Sequence, residues 1–161
     1  MTNSNLIYDQ LKTIPDPEIP VLNILDLGIV RAVEEDEDQI EVTITPTYSG
    51  CPAMNTIEMQ IRAGLESTFN KKVIVHTILS PAWTTKWLSE EGKRKLKEYG
   101  IAPPQEDSYD KSSLFAEPKQ IQCPHCNSTD TYMLSEFGST ACKSLYKCND
   151  CLETFDYFKC H

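Results

Sequence analysis

The sequence lacks any apolar run that approaches the roughly 20 residues needed to cross a bilayer as a helix. Its first five residues, Met1–Asn5, have neither the basic start nor the apolar core of a secretory signal. Basic residues are few, with 15 Lys and Arg against 24 Asp and Glu and a formal net charge of −9. Binding to nucleic acid depends on Lys and Arg that neutralise phosphates, so a nucleic-acid partner is not expected. We therefore expect a cytoplasmic protein that binds neither membranes nor nucleic acids.

Cysteine, in contrast, is frequent, with seven residues in a chain of 161. In the cytoplasm cysteines bind metals or do chemistry more often than they form disulfides. Four of them form two C-x-x-C knuckles, Cys123/Cys126 and Cys148/Cys151, separated by 21 residues. Two thiolates from one tight turn occupy adjacent corners of a tetrahedron, and a second such turn completes it. This spacing predicts a closed structural zinc site, with an iron–sulfur cluster as the alternative.

The knuckles lie in a segment, residues 121–161, that is too short to bury a sufficient apolar core by itself. We expect metal binding to supply the folding energy of this zinc-ribbon-like β tail, with strands near 131–134, 144–147 and 154–158. Polar, aperiodic residues 105–120 are predicted to be a linker. Cys142, Cys160 and the terminal His161 are either additional metal ligands or bystanders, and their spacing does not decide between these roles.

Residues 1–104 predict an α+β domain with the element order α-β-β-α-β-α. Residues 39–45 alternate apolar and polar side chains as a half-buried strand does, and apolar residues recur every four positions over 53–69 as in an amphipathic helix. The remaining expectations for this domain are a helix over 3–14, a strand over 29–33, a solvated acidic loop over 34–38 and a central strand over 72–79 that holds a core histidine, His76. A last helix is expected over 84–99, with Tyr99 buried. Trp83 and Trp87 are expected at the core edge, with a partner surface as the alternative.

Between the predicted strand and helix lies T-P-T-Y-S-G-C-P, residues 45–52, with one thiol at the tip of the turn. Pro52 suits a first helical position, which would make Cys51 the N-cap. The positive end of the helix dipole would then lower the pKa of this thiol and make it available as a metal ligand or nucleophile. The alternative is a small buried hydrophobic residue. Upstream, prolines hold two carboxylates, Asp16 and Glu18, in a rigid segment whose composition alone indicates a solvated turn.

The motifs D-P-E-I-P-V (16–21), D-L-G-I-V (26–30) and T-P-T-Y-S-G-C-P (45–52) resemble the SufT-like family of iron–sulfur assembly proteins. The segments 81–85, 99–101, 136–143 and 155–160 narrow the resemblance to the phenylacetate-degradation protein D family, whose members are accessory subunits encoded with the multicomponent phenylacetyl-CoA epoxidase. The resemblance implies an assembly domain joined to a zinc-ribbon-like tail. It also implies that Cys51 is the reactive cysteine and that Asp16 and Glu18 are its acidic neighbours.

Three functional hypotheses follow. In the leading one the chain has no catalytic activity and supplies or matures metal centres of the epoxidase, with Cys51 holding iron or an iron–sulfur cluster transiently. Its partners would be the other epoxidase subunits or iron–sulfur carrier proteins. In the second, Cys51 is a nucleophile that attacks a CoA thioester, with His76 as its base. In the third, the chain is an inert structural subunit.

Overall fold

A computed structural model describes residues 3–105 and 120–159. The chain divides into two compact units that meet in the sequence between Gly92 and Lys93. The sequence-based boundary at residue 104 stays a prediction. Residues that it assigns to the first domain, Ile101–Ala102, pair in the structure with a strand of the tail. Among the described helices, none is both long and apolar enough to span a membrane.

The first unit is built on a hairpin and a crossover. Its elements are α1 (Asn3–Lys12), β1 (Val30–Glu35), β2 (Gln39–Ile44), α2 (Ala53–Phe69) and β3 (Lys72–Thr77). Strands β1 and β2 pair antiparallel, whereas β2 and β3 pair parallel because α2 connects them. The predicted alternation of β2 and the apolar stripes of both helices are confirmed by burial of Ile40, Val42, Ile44, Ile7, Leu11, Ile14, Ile57, Ile61 and Leu65.

The third strand occupies a different place from the predicted one. The sheet order is β1-β2-β3, so β3 is an edge strand and its prediction as a central strand is wrong. Apolar residues on both faces indicated burial, but the face that carries Ile74 is only partly covered, and Leu79 beyond the strand is 63% exposed. His76 on this strand is exposed and its Nε2 lies 3.0 Å from Glu41 Oε2. The prediction of a core histidine is therefore also wrong.

The predicted helix over 84–99 is broken in two. A 3-10 turn covers Thr85–Trp87, and α3 begins only at Glu90 and runs to Glu98. The reason is that two hydroxyls start separate helices: Thr84 Oγ1 accepts the Lys86 N–H at 3.1 Å, and Ser89 Oγ accepts the Gly92 N–H at 2.9 Å. Tyr99, predicted to be buried, is 60% exposed.

The acidic run is only partly a loop. Glu34 and Glu35 belong to β1, and the turn itself is made by Asp36. Its carboxylate accepts the N–H groups of Asp38 and Gln39 at 2.9 and 2.8 Å. These hydrogen bonds lower the pKa of Asp36. The prediction of a loop over the whole run is therefore wrong. The Asp36 carboxylate closes a tight turn by taking the place of a backbone acceptor, so Glu34 and Glu35 can remain in the strand.

The two tryptophans lie at the core edge, as predicted. Trp83 is 3% exposed and its Nε1 donates to the Leu27 carbonyl at 2.8 Å, and the Arg31 guanidinium lies 3.6 Å from the Trp87 ring centroid. Gly28 has a φ of +66°, and a Cβ there would lie 2.0 Å from the Trp87 carbonyl oxygen. Only glycine fits this close approach without a shift of the backbone.

The second unit is a four-stranded sheet. Its strands are β4 (Ile101–Ala102), β5 (Thr131–Ser135), β6 (Lys143–Cys148) and β7 (Thr154–Phe158), in the order β4-β7-β6-β5. The antiparallel ribbon β5-β6-β7 confirms the prediction. Strand β4, parallel to β7, was not predicted because two residues show no periodicity. One face buries a small core of Ala102, Ile121, Cys123, Tyr146, Cys148, Phe155 and Tyr157.

Candidate metal sites

The four knuckle cysteines converge at one point. The sulfurs of Cys123, Cys126, Cys148 and Cys151 all lie within 4.8 Å of one another. Sγ of Cys123 is 3.7 Å from Sγ of Cys151, and Sγ of Cys126 is 3.6 Å from Sγ of Cys148. Four thiolates about 2.3 Å from a tetrahedral ion would lie roughly 3.8 Å apart, so this arrangement fits a closed metal site. The sequence-predicted ligand set is brought together.

Backbone amides orient these sulfurs. The N–H groups of Cys151 and Asp150 point at the Cys148 sulfur and lower its pKa to about 7. The Glu153 N–H acts in the same direction on Cys151, but burial and the neighbouring sulfurs raise its pKa to about 12. The two pKa values move in opposite directions because the sulfurs are crowded together, and adjacent thiolates repel one another unless a cation neutralises them. The donor set therefore fits a divalent ion.

The spare ligands do not join this cluster in the part of the chain that the structure describes. Cys142 is buried just before β6, and its sulfur lies 3.1 Å from Thr140 Oγ1. Its carbonyl accepts the Lys159 N–H at 2.9 Å. Cys160 and His161 lie outside the described residues.

Cys51 occupies the loop that joins β2 to α2. The N-cap residue is Pro52, with φ −67° and ψ −22°, so the predicted N-cap position of Cys51 is wrong by one residue. The Ala53 N–H nevertheless donates to the Cys51 sulfur, as does the side chain of Tyr48. Tyr48 lies in the motif that carries Cys51, but nothing in the sequence predicted a role for it.

The Cys51 thiol is half-buried, and its surroundings raise its pKa instead of lowering it. Burial raises its pKa, and the negative charges of Glu18 and Asp16 add to the rise, outweighing the two hydrogen bonds. The prediction of a lowered pKa is wrong, because it considered the helix terminus and not the desolvation and the acids from the other loop. The effect of Glu18 and Asp16 on this pKa also means that both predicted carboxylates lie close enough to act on the thiol electrostatically.

The two carboxylates have different surroundings. Asp16 is only 8% exposed, and its Oδ1 accepts the N–H groups of Glu18 and Ile19 at 2.9 and 2.7 Å. Its own N–H donates to the Leu22 carbonyl at 2.8 Å. The prediction of a solvated turn is therefore wrong for Asp16, whose carboxylate organises the loop. Glu18 is half-buried and is the more exposed of the two residues.

A second buried aspartate fixes the next loop. Asp26 Oδ2 accepts from Asn23 Nδ2 at 2.7 Å, and Asp26 Oδ1 accepts from Ser89 Oγ at 3.2 Å. The Asp26 carbonyl also accepts the Ser89 N–H at 2.8 Å. Asp26 is 6% exposed, so its carboxylate has little access to water and depends on these hydrogen bonds, which also hold the loop in place.

Comparisons with known proteins find relatives of both units. A family model described as an iron-sulfur cluster assembly protein matches residues 5–75, and one described as the PaaD zinc beta ribbon domain matches residues 107–159. A protein of Escherichia coli, provisionally named as the D-type component of 1,2-phenylacetyl-CoA epoxidase, is 47% identical over 154 residues, which are 96% of this chain and 91% of that protein. This chain belongs to the family of D-type phenylacetyl-CoA epoxidase subunits. An Fe-S protein maturation auxiliary factor of Porphyromonas gingivalis is 37% identical over 92 residues, 56% of this chain and 87% of that protein.

Solved structures confirm the α+β fold of the first unit for this family member. A DUF59 domain from Bacillus anthracis is 28% identical with a TM-score of 0.54, covering 57% of this chain and 89% of that one. A conserved hypothetical protein from Thermotoga maritima has a TM-score of 0.50 at 24% identity and covers 60% of this chain and 94% of that one. The four-cysteine cluster of the second unit accords with a zinc ribbon domain.

Proposed function

We propose that this chain is a non-catalytic accessory factor that holds iron, or an iron–sulfur cluster, transiently at Cys51 and delivers it to metal-containing subunits of a phenylacetyl-CoA epoxidase. The iron is cargo. The observation that carries the proposal is the half-buried Cys51 thiol under the negative charges of Glu18 and Asp16. The family relationship to iron–sulfur maturation factors supports it.

The charge arrangement suits a carrier. Two carboxylates disfavour the Cys51 thiolate in the empty protein, but the same negative potential favours a bound cation. Metal binding must then displace the thiol proton, which keeps the affinity moderate and dependent on pH. One carboxylate oxygen of Asp16 already accepts two backbone N–H groups, so we propose that Asp16 positions the loop. We propose that Glu18 contacts the cargo directly.

The tail serves a different purpose. We propose that Cys123, Cys126, Cys148 and Cys151 hold zinc, which would stabilise the fold and supply no chemistry, since no coordination position is left for a substrate. Free thiols outside the cluster persist in a reducing compartment, which agrees with a cytoplasmic location.

The test is the metal content of the epoxidase subunits. Cells that express the epoxidase subunits with wild-type chain, Cys51→Ser or Glu18→Gln would be compared by purifying each subunit anaerobically and measuring iron per protein. We expect severalfold less iron with Cys51→Ser and a smaller deficit with Glu18→Gln. Glu37→Gln is the matched control, because it removes the same charge from the exposed turn at the other end of β2.

Two results would contradict the proposal. Normal iron in all subunits with Cys51→Ser would show that Cys51 carries no cargo. An equal deficit with Glu37→Gln would show that general acidity, rather than the Cys51 site, matters. Far-UV and near-UV circular dichroism of each variant must match the wild type, so that loss of fold is excluded as a cause.

A further inference from the structure

The edge strand β5 exposes several large apolar side chains of the second unit. Tyr132, Met133 and Leu134 are 44%, 47% and 47% exposed, and Phe137 just beyond the strand is 58% exposed. No described strand lies beyond β5, and its five residues carry no charge. Sheet edges in soluble proteins are ordinarily protected by Lys, Pro or a covering element. The residues of β5 include neither Lys nor Pro. Among the described residues, its protection consists of the β-bulge between Met133 and Ser135 and of Lys159, whose Nζ lies 4.4 Å from the Phe137 ring centroid.

We propose that β5 is a docking edge for an extended segment of another protein, which adds as a strand and has apolar residues in its centre and a basic residue at each end. Strand addition would satisfy the outer backbone groups of β5 and cover its apolar side chains. The pairing is short, since a β-bulge interrupts the register between Met133 and Ser135. The apolar side chains would therefore contribute much of the affinity.

The charges at the ends of the strand define the partner. Asp130 precedes β5 and Glu136 follows it, and both are exposed. Asp130 Oδ1 accepts from the neutral Asn149 Nδ2 at 2.8 Å and keeps its charge, whereas the Lys159 ammonium reduces the negative charge at the Glu136 end. Opposite charges on facing strands stabilise a pair, so basic residues on the added segment would face these two acids. Lys147, opposite Tyr132, lies on the inner neighbour β6 and is one strand further from the added segment.

The same charges disfavour a second copy as the occupant. In an antiparallel pair of two β5 strands centred on Met133, Asp130 of each copy would face Glu136 of the other. Like charges directly opposite destabilise strand pairing. The exposed apolar residues also amount to a patch of a few hundred Å², whereas stable interfaces bury about 800 Å² on each partner. The surface therefore fits a transient contact with another protein.

Nuclear magnetic resonance of the full-length, metal-loaded protein tests the proposal with two synthetic peptides. One is acetyl-Lys-Val-Thr-Val-Thr-Val-Lys-amide, and the other has Glu at both ends instead of Lys. We expect the Lys-ended peptide to shift the amide signals of Thr131–Ser135 in a saturable way and the Glu-ended peptide to bind about tenfold more weakly. Met133→Lys should abolish the shifts while the signals of the buried core stay unchanged.

Leu152→Lys is the matched control, because Leu152 is 69% exposed, apolar and outside β5. It should bind the Lys-ended peptide as the wild type does. The proposal is overturned if neither peptide shifts β5 at millimolar concentration, if the two peptides bind equally, or if Met133→Lys retains binding. It is also overturned if β5 signals of the protein alone depend on its concentration and sedimentation shows a dimer, since a second copy would then occupy the edge. None of these results depends on Cys51, so the proposed function is tested separately.

Discussion

The two thiol sites of the chain differ in how much of a coordination sphere each provides. In the second unit four sulfurs lie within 4.8 Å of one another, with backbone amides aimed at them. In the first unit Cys51 is a single half-buried thiol under the charges of two carboxylates. A complete set of thiolates holds its ion permanently, whereas an incomplete set leaves positions for a donor or an acceptor protein. The two proposed roles, a structural metal site and a site that releases its metal, therefore differ in the number of ligands.

The largest expected effect comes from breaking the complete set. Cys123→Ser should remove the cooperative structure of the second unit, because metal binding there supplies folding energy that a small core cannot. Cys123 is also fully buried in that core. The metal-to-protein ratio and the amide dispersion of residues 120–159 measure the loss, while signals of the first unit should persist.

Cys142→Ser is the control for that change, since Cys142 is equally a buried thiol of the second unit but is not part of the cluster. It should keep the metal and the amide dispersion. A Cys123→Ser protein that retains its metal and a folded β ribbon would show that the four sulfurs are not the structural centre.

Two glycines allow a second comparison within the first unit. Gly28→Ala should destabilise the protein by about 3–5 kcal/mol, because a φ of +66° is strained for alanine and its Cβ would collide with the Trp87 carbonyl. Gly50, beside Cys51, has a φ of +84°, but a Cβ there would have no atom within 4 Å apart from those of the adjoining residues. Gly50→Ala should therefore cost only about 1–2 kcal/mol. Urea denaturation monitored by tryptophan fluorescence measures both, and equal losses would contradict the packing argument.

Substitutions of the two carboxylates near Cys51 should differ in their effect on the free energy of unfolding. Asp16→Ala should lower the free energy of unfolding by about 1–2 kcal/mol, because two backbone amides lose their acceptor. Glu18→Gln should change it by less than about 0.5 kcal/mol, as surface substitutions usually do. The same urea titration tests this difference. If Glu18→Gln is the more destabilising variant, the assignment of Asp16 as the positioning residue is wrong.

Some patterns that depend on neighbouring residues were predicted well, although the separate helix starts at Thr84 and Ser89 are local signals that were missed. The alternation of Ile40, Val42 and Ile44 determined which face of β2 is buried. Each C-x-x-C turn brings its own two sulfurs together, and the 21-residue spacing typical of zinc sites predicted that the two turns meet. The predicted ribbon strands follow from the same kind of local signal. Such patterns need only the geometry of one strand, helix or turn.

Properties that depend on distant residues were not predicted. The pKa of Cys51 is raised by burial and by Glu18, which is 33 positions away in the sequence, and a helix terminus considered alone gave the wrong direction. The edge position of β3 and the exposure of His76 depend on how many strands the sheet has. Apolar content cannot specify that number.

The smallest expected effect tests the electrostatics of Cys51 directly. Its raised pKa leaves little thiolate at pH 7, so alkylation by iodoacetamide, followed by mass spectrometry of the Cys51 peptide, should be slow and should accelerate as the pH rises past the ordinary range of cysteine. The negative charge of Glu18 contributes to the rise, so Glu18→Gln should lower the pKa and increase the rate severalfold at pH 7. Glu37→Gln should leave the rate unchanged. A slower reaction in Glu18→Gln would mean that Glu18 accepts the thiol proton instead of repelling the thiolate, and Cys51 would then be closer to a nucleophile than to a metal carrier.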